Sequence, residues 1–298
     1  MPGTSRTVLL VLLAAFFWGA NFVLGGYVLR DLAPLWAAAL RFLLGALLMF
    51  AYCFLQQEPL LPLVRAHASR YALLGVTGIV GFNLFFFFGL QYTSANNAAL
   101  IMATNPLLTT LLAAALLREQ LSARHLLALP VALLGVAVVV TQGHGADTRS
   151  LSSGDLMMLA ADACWALYNV LSRRYMPVQG SALANTTWVM AAGALVLAVV
   201  ALASGEPLTG LGAPAGGALA VMVVGGTVLA YLFWTTGIAR LGAARAAIFL
   251  NLVPVAAMAV GSLLGQMPTH TQMLGGLLVL GAVSLTMLPQ RKLARATP

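Results

Sequence analysis

The chain has 298 residues, 61% of them hydrophobic and only 7% charged, with a mean hydropathy of +0.96. A soluble domain carries about 25% charged residues, so this chain lacks the polar residues to cover a water-facing surface and is predicted to be a membrane protein. Its net charge of +8, from 15 basic and 7 acidic residues, therefore needs an explanation other than a nucleic-acid-binding face.

Apolar stretches of about 18 residues or more, bounded by charge, Pro or Gly, mark candidate membrane helices. In chain order they fall at 7–29, 35–55, 71–92, 95–117, 125–141, 154–175, 183–203, 216–238, 243–264 and 271–288. The first is too long for the apolar core of a signal peptide and lacks a small-residue cleavage site after it, so it is expected to stay as a span. What remains between ten spans is too short for a soluble domain. Cys53 and Cys164 both lie inside apolar stretches and read as small buried hydrophobes rather than a disulfide.

Charge orients the spans, because Lys and Arg near span ends collect on the cytoplasmic side. With both termini cytoplasmic, 12 of the 15 basic residues fall inside: Arg6, Arg65, Arg70, Arg118, Arg124, Arg173, Arg174, Arg240, Arg245, Arg291, Lys292 and Arg295. Glu58 and Glu119 join them, while Arg30, Arg149, Asp31, Asp147, Asp155 and Glu206 fall outside and Arg41 and Asp162 within spans. The sums are +10 inside, −2 outside and zero in the membrane, which returns the net +8. Splitting or merging one hairpin would scramble this segregation.

The two halves resemble each other. Trp18 and Trp165 stand 147 positions apart, Gly89 and Gly237 stand 148 apart, and so do Pro106 and Pro254. Five spans per half is an odd number, so the second half must enter the membrane from the opposite side. The predicted fold is an all-α membrane protein of two inverted five-helix repeats, 1–145 and 146–298. Secondary transporters often follow this plan and hold their substrate at the midplane between the repeats. A duplicated bundle with no transport role, and a membrane enzyme, are the alternatives.

Ten spans in an inverted repeat accompany several local motifs: Trp18 to Asn21 in the first span, Arg41-Phe42 early in the second, and Gly89-Leu90 near the end of the third. Asn105-Pro106 in the fourth and Arg118-Glu119 before the fifth complete the set. Together they resemble the drug/metabolite transporter superfamily, EamA type, over nearly the whole chain, and within it the aromatic amino acid exporters of the bacterial inner membrane. The second copy departs from the pattern, with Val253 before Pro254 and Gly265-Gln266 where the first has Arg118-Glu119.

Candidate substrate contacts follow helical spacing. Trp18, Asn21, Phe22 and Gly25 form one stripe, and Asp162, Trp165, Tyr168, Asn169 and Ser172 form its counterpart on span six. Asn83, Phe86, Phe87 and Leu90 on span three pair with Tyr231, Trp234 and Thr235 on span eight. Trp and Tyr also favour membrane interfaces, and Asn also serves helix association, but Trp18 and Trp165 stand near mid-span. Pro106 and Pro254 are expected to kink their helices and free carbonyls near Met102 and Leu250. The Gly25-Gly26, Gly225-Gly226 and Gly275-Gly276 pairs read as packing positions.

Arg41 and Asp162 are the charges inside spans, which makes them functional candidates by default. The plainer account is a structural ion pair, or separate snorkelling to the outer interface. The predicted solute is an amino acid, aromatic or otherwise neutral. Its ring would stack on Trp18, Trp165 or Phe86, and its zwitterion would be held by the neutral Asn21, Asn83, Tyr168 and Asn169 with kinked-helix carbonyls. Affinity without a charge partner is expected on the order of millimolar.

Export of other metabolites or drugs is the nearest alternative, and an intramembrane enzyme using Asp162 or a histidine the more distant one. His67, His125, His144 and His270 share no ligand spacing, and no phosphate loop or nucleophile set occurs. No catalytic residue, metal or cofactor is therefore expected. The expected partners are a small solute and the lipid bilayer, not nucleic acid, and a monomer suffices. Proton coupling and facilitated diffusion both stay open.

Overall fold

Without water to bond exposed N–H and C=O groups, a chain in lipid must satisfy its backbone internally, which leaves helices as the solution for sequence of this kind. The computed structural model describes residues 2–118, 123–141, 152–241 and 249–287, and ten helical elements run through them. They are α1 (Pro2–Val28), α2 (Pro34–Leu55), α3 (Leu60–Gly75, Val76–Gly81 and Phe82–Leu90), α4 (Ala95–Met102 and Asn105–Leu117) and α5 (Ala123–Val140). The second half repeats the series with α6 (Ser153–Tyr175), α7 (Ala182–Ala203), α8 (Ala213–Val221, Met222–Leu229 and Ala230–Leu241), α9 (Phe249–Asn251 and Leu252–Leu263) and α10 (His270–Met287).

Six of these are long and apolar enough to cross a membrane: Ser5–Val28, Pro34–Leu55, Leu60–Leu90, Ala95–Leu117, Ala182–Ala203 and Ala213–Gly237. Leu126–Val140, Phe249–Leu263 and His270–Leu285 are shorter apolar helices. The 23-residue α6 has the length, but it carries Asp155, Asp162, Arg173 and Arg174. Large apolar side chains on the outside of the bundle, such as Leu47, Phe54, Leu133 and Leu277, are exposed. Such a surface suits lipid and not water.

The packing is symmetric between the repeats. α1 packs on α8 and α9, and its counterpart α6 packs on α3 and α4. α3 lies against α7 as α8 lies against α2, while α2 with α7, α4 with α9 and α5 with α10 are pairs that map onto themselves. Close approach at α5 and α10 depends on two glycines: a Cβ added to Gly135 would sit 2.8 Å from the Gly275 carbonyl oxygen.

Two features depart from the predicted helices. α3 begins at Leu60, eleven residues before the predicted start, with a non-helical residue at His67 (φ −135°, ψ 20°). Arg65, His67 and Arg70 depress the local hydropathy, so an apolar-run criterion misses this exposed first segment, which Trp188 Nε1 ties down by donating to the Leu60 carbonyl at 3.0 Å. The second departure is that α3 and α8 each widen into a π-helical stretch, Val76–Gly81 and Met222–Leu229. These stretches occupy corresponding positions of the two repeats. In the second, Thr227 Oγ1 donates to the Met222 carbonyl five residues back at 3.0 Å.

The prolines act differently from a simple bend. α4 stops at Met102 and restarts at Asn105 with Pro106 in its first turn, and α9 enters through a single 3₁₀ turn, Phe249–Asn251. Pro has no N–H to offer the carbonyl four residues back, so Met102 and Leu250 lack their ordinary helical donors.

At the end of the bundle where α1 finishes, polar bonds join the repeats. Gly212 N donates to Asp31 Oδ2 at 2.7 Å, and Thr209 Oγ1 donates to the Asp31 carbonyl. Trp36 Nε1 donates to the Glu206 carbonyl at 2.9 Å, Thr93 Oγ1 donates to Asp155 Oδ1, and Gln272 Nε2 donates to Asn97 Oδ1 at 2.7 Å. The predicted repeat boundary at 145/146 lies outside the described residues, as do the counted charges Glu119, Asp147, Arg149, Arg245, Arg291, Lys292 and Arg295.

Candidate functional site

A cavity of about 190 Å³ lies between the repeats. Its walls follow the symmetry of the fold. On one side α1 and α8 bring Trp18 edge-on to Tyr231 and Trp234, with ring centroids 5.8 and 5.3 Å apart. On the other, α6 and α3 set Trp165 5.5 Å from Phe82, and Phe82 stacks on Phe86 at 5.5 Å. Phe22 closes the seam between the walls, meeting Phe86 at 5.3 Å. Edge-on and offset contacts of this kind suit the ring quadrupole and pack the rings of each wall against one another.

Ten of the twelve predicted contact residues line this cavity: Trp18, Asn21, Phe22, Asn83, Phe86, Met102, Trp165, Asn169, Tyr231 and Trp234. Pro106 and Pro254 line it too. Phe87 and Tyr168 are set back. Phe87 is fully buried behind Phe86, and Tyr168 packs behind Trp165 at 5.0 Å and against Gly78, where an added Cβ would sit 2.4 Å from its ring.

Sequence reasoning missed Phe82, Phe42 and Asn105 among the lining residues. Phe82, Asn83, Phe86 and Phe87 share one regular α-helical segment, Phe82–Leu90, and the first three line the cavity while Phe87 lies off that face, behind Phe86. Phe82 and Phe86 are four residues apart, and that spacing was visible in the sequence.

The two intramembrane charges have different surroundings. Asp162 is fully buried and does not line the cavity. Thr104 Oγ1 donates to its Oδ2 at 2.9 Å, and Asn105 Nδ2 donates to its Oδ1 at 2.6 Å. Both donors stand where α4 restarts, so the carboxylate also sits at the N-terminus of the 13-residue helix Asn105–Leu117, where the helix dipole favours negative charge. Asn105 connects this arrangement to the cavity, since its Oδ1 accepts from Asn169 Nδ2 at 3.1 Å.

Arg41 lines the cavity and is only 5% exposed, so it does not snorkel. Its Nε donates to Thr227 Oγ1 at 3.2 Å and its Nη1 donates to Asn83 Oδ1 at 3.5 Å, a long contact. The guanidinium carbon lies 5.0 Å from the Phe42 ring centroid. The ion pair with Asp162 expected from the sequence is not formed: the hydrogen-bond partners of the Asp162 carboxylate are Thr104 and Asn105. Asn21 is a further cavity residue with unused capacity, because its buried Oδ1 has no hydrogen-bond partner and lies beside Gly226. Among the described residues no three His, Cys, Asp or Glu side chains cluster to hold a metal. Cys53 and Cys164 are free thiols.

A family model, the EamA-like transporter family, matches the chain twice, over residues 5–141 and 152–288. The chain belongs to the EamA-like transporter family. It is thus a multi-pass membrane transporter of the drug/metabolite transporter superfamily, with the family domain duplicated, and not an enzyme. The uncharacterized transporter YyaM of Bacillus subtilis (strain 168) is 39% identical over 270 residues, covering 89% of this chain and 88% of the relative. A probable amino-acid metabolite efflux pump of Salmonella typhimurium (strain LT2) is 28% identical over 291 residues, 92% of each chain. A crystal structure of a protein 21% identical in sequence shares the fold with a TM-score of 0.66, over 95% of this chain and 96% of the other.

Proposed function

We propose that this EamA-family transporter exports amino acids, aromatic and other neutral ones, across a bacterial inner membrane by alternating access. The observation that carries this reading is the cavity between the repeats, walled by Trp18, Tyr231 and Trp234 on one side and Phe82, Phe86 and Trp165 on the other. An aromatic or aliphatic side chain fits between such plates, each good ring contact adding roughly 0.5–1.5 kcal/mol beyond burial. The small volume, below the roughly 300–1,000 Å³ of drug-sized sites, favours a compact metabolite over a bulky drug. The relative described as a probable amino-acid metabolite efflux pump supports the same direction, and a related inner-membrane transporter of Salmonella typhimurium supports the location.

In this mechanism the cross-repeat bonds around Asp31, Thr93 and Gln272 close the periplasmic end, and their release together with a rocking of the repeats delivers the solute outward. The restarts at Pro106 and Pro254 give α4 and α9 the joints at which such rocking can occur. Counterflow in proteoliposomes tests the function: labelled phenylalanine, leucine and a lipophilic cation are offered to vesicles preloaded with each unlabelled amino acid. Exchange of the amino acids is expected. Movement of the cation with no amino acid exchange would overturn the reading in favour of drug export.

A further inference from the structure

Arg41 is a cation inside the hydrocarbon layer, in the wall of a cavity, with no anion beside it among the described residues. Arginine carries five N–H donors in a planar fork. Here Thr227 and Asn83 take one each, the second at the 3.5 Å limit, which leaves Nη2 without a partner among the described residues. The cavity's other polar groups are neutral: Asn21, Asn83, Asn105, Asn169, Asn251 and Tyr231. Asp162, the other intramembrane charge, spends both oxygens on α4.

We propose that Arg41 is the anchor for a carboxylate on the transported solute, so that the substrates of this site are carboxylic acids with an apolar or aromatic tail. The proposal deepens the export reading and rests on the cavity being the transport site. A buried charge is costly unless it is paired, and a guanidinium matches a carboxylate with two parallel bonds. Its place is held from both repeats, by Asn83 of α3, two residues past one π-helical stretch, and Thr227 of α8, inside the other. Asn21 lies against Gly226, next to Thr227, and so offers an amide near the same head group with its Oδ1 unbonded. That amide suits the ammonium of an amino acid, and the aromatic plates then receive the side chain. The carboxylate is thus met by a full charge, where the sequence suggested neutral groups alone.

Binding to purified protein, followed by the fluorescence of the cavity tryptophans, separates the possibilities. The probes share one ring: phenylalanine, 3-phenylpropionate, phenylalaninamide and phenethylamine. The two carboxylates are expected to bind and the two amines lacking a carboxylate to bind at least tenfold more weakly. Arg41→Gln is expected to weaken the carboxylates roughly ten- to a hundredfold, the worth of a charged hydrogen-bond pair, and to leave the amide unchanged. Arg41→Lys, which keeps the charge without the fork, is expected to fall between.

The anchor is overturned if phenylalaninamide binds wild type as tightly as phenylalanine, if Arg41→Gln weakens all four probes alike, or if chloride alone occupies the site and carboxylates do no better. Binding of 3-phenylpropionate that depends on Arg41, without transport of phenylalanine, would keep the anchor and remove the amino acid reading. Phenylalanine exchange undiminished by Arg41→Gln would do the reverse.

Discussion

Arg41 on α2 and Asp162 on α6 are the charges inside the membrane spans, and the protein treats them in opposite ways. Asp162 has both oxygens bonded and a helix N-terminus behind it. Arg41 has donors left over and faces a cavity. Neither charge is duplicated: at the repeat offset of 148 residues, Arg41 maps to Val189 and Asp162 to Ala14. A charge in lipid is thus a marker of something built around it, but the partners decide whether that something is a joint in the fold or a place for a ligand. Asp162 fastens α6 to the restart of α4, and Arg41 waits for an anion.

The largest effect that separates the two is expected from Arg41→Met. An apolar chain of similar shape removes a desolvated cation, so thermal stability in detergent should stay level or rise. Thr227 keeps its bond to Met222, and Asn83 loses only a long contact. Transport should nevertheless fall roughly ten- to a hundredfold. A fall in stability with transport intact would reverse the roles.

Asp162→Ala should do the opposite. It removes the charged acceptor of Thr104 Oγ1 and Asn105 Nδ2, leaving Asn105 only its 3.2 Å bond to the Asp162 carbonyl, a loss of about 1–3 kcal/mol, visible as a lower melting temperature. The isosteric Asp162→Asn should recover much of it. If Asp162→Ala left stability unchanged while abolishing binding, Asp162 would be a solute contact.

The walls give a smaller contrast. Trp165→Leu should raise the transport KM for phenylalanine roughly two- to tenfold, the worth of one ring contact, and barely change it for leucine. Phe87→Leu, behind the same wall, should cost stability and leave that selectivity as it was. Equal shifts in the two variants would mean that the aromatic plates serve packing alone.

The smallest effect is expected at the cross-repeat clasp around Asp31. Asp31→Ala removes the exposed bond to Gly212 but leaves the Asp31 carbonyl to Thr209. Its stability change should stay within about 1 kcal/mol, and exchange rates should stay within a few-fold. A rate change far beyond that would make this bond the gate itself.

Much of this design can be read in the residues. Hydropathy marks the ten spans because lipid imposes a length and a composition. The Trp, Gly and Pro anchors expose the duplication, and most of the cavity wall follows from helical spacing on α1, α6 and α8. What escaped depends on contacts between distant segments. The position of Arg41 along α2 gives its depth but not the face it turns to, and the partners that hold it in the cavity, Asn83 and Thr227, stand 42 and 186 residues away. Phe82 was missed although it stands one turn before Phe86 on the same helical segment, and Phe87, taken for a contact, packs behind Phe86 instead. The pair of Asp162 with Arg41 was a natural guess from two opposite charges in one leaflet, yet the restart of α4 supplied nearer donors.

The division of roles is tested most directly by ligand-induced thermal stabilisation of wild type, Arg41→Met and Asp162→Asn, measured side by side with a saturating carboxylate such as phenylalanine or 3-phenylpropionate. A ligand raises the melting temperature of whatever form binds it. Stabilisation is predicted for wild type and Asp162→Asn and its absence for Arg41→Met. Stabilisation of Arg41→Met equal to that of wild type, or its loss in Asp162→Asn alone, would contradict the assignment.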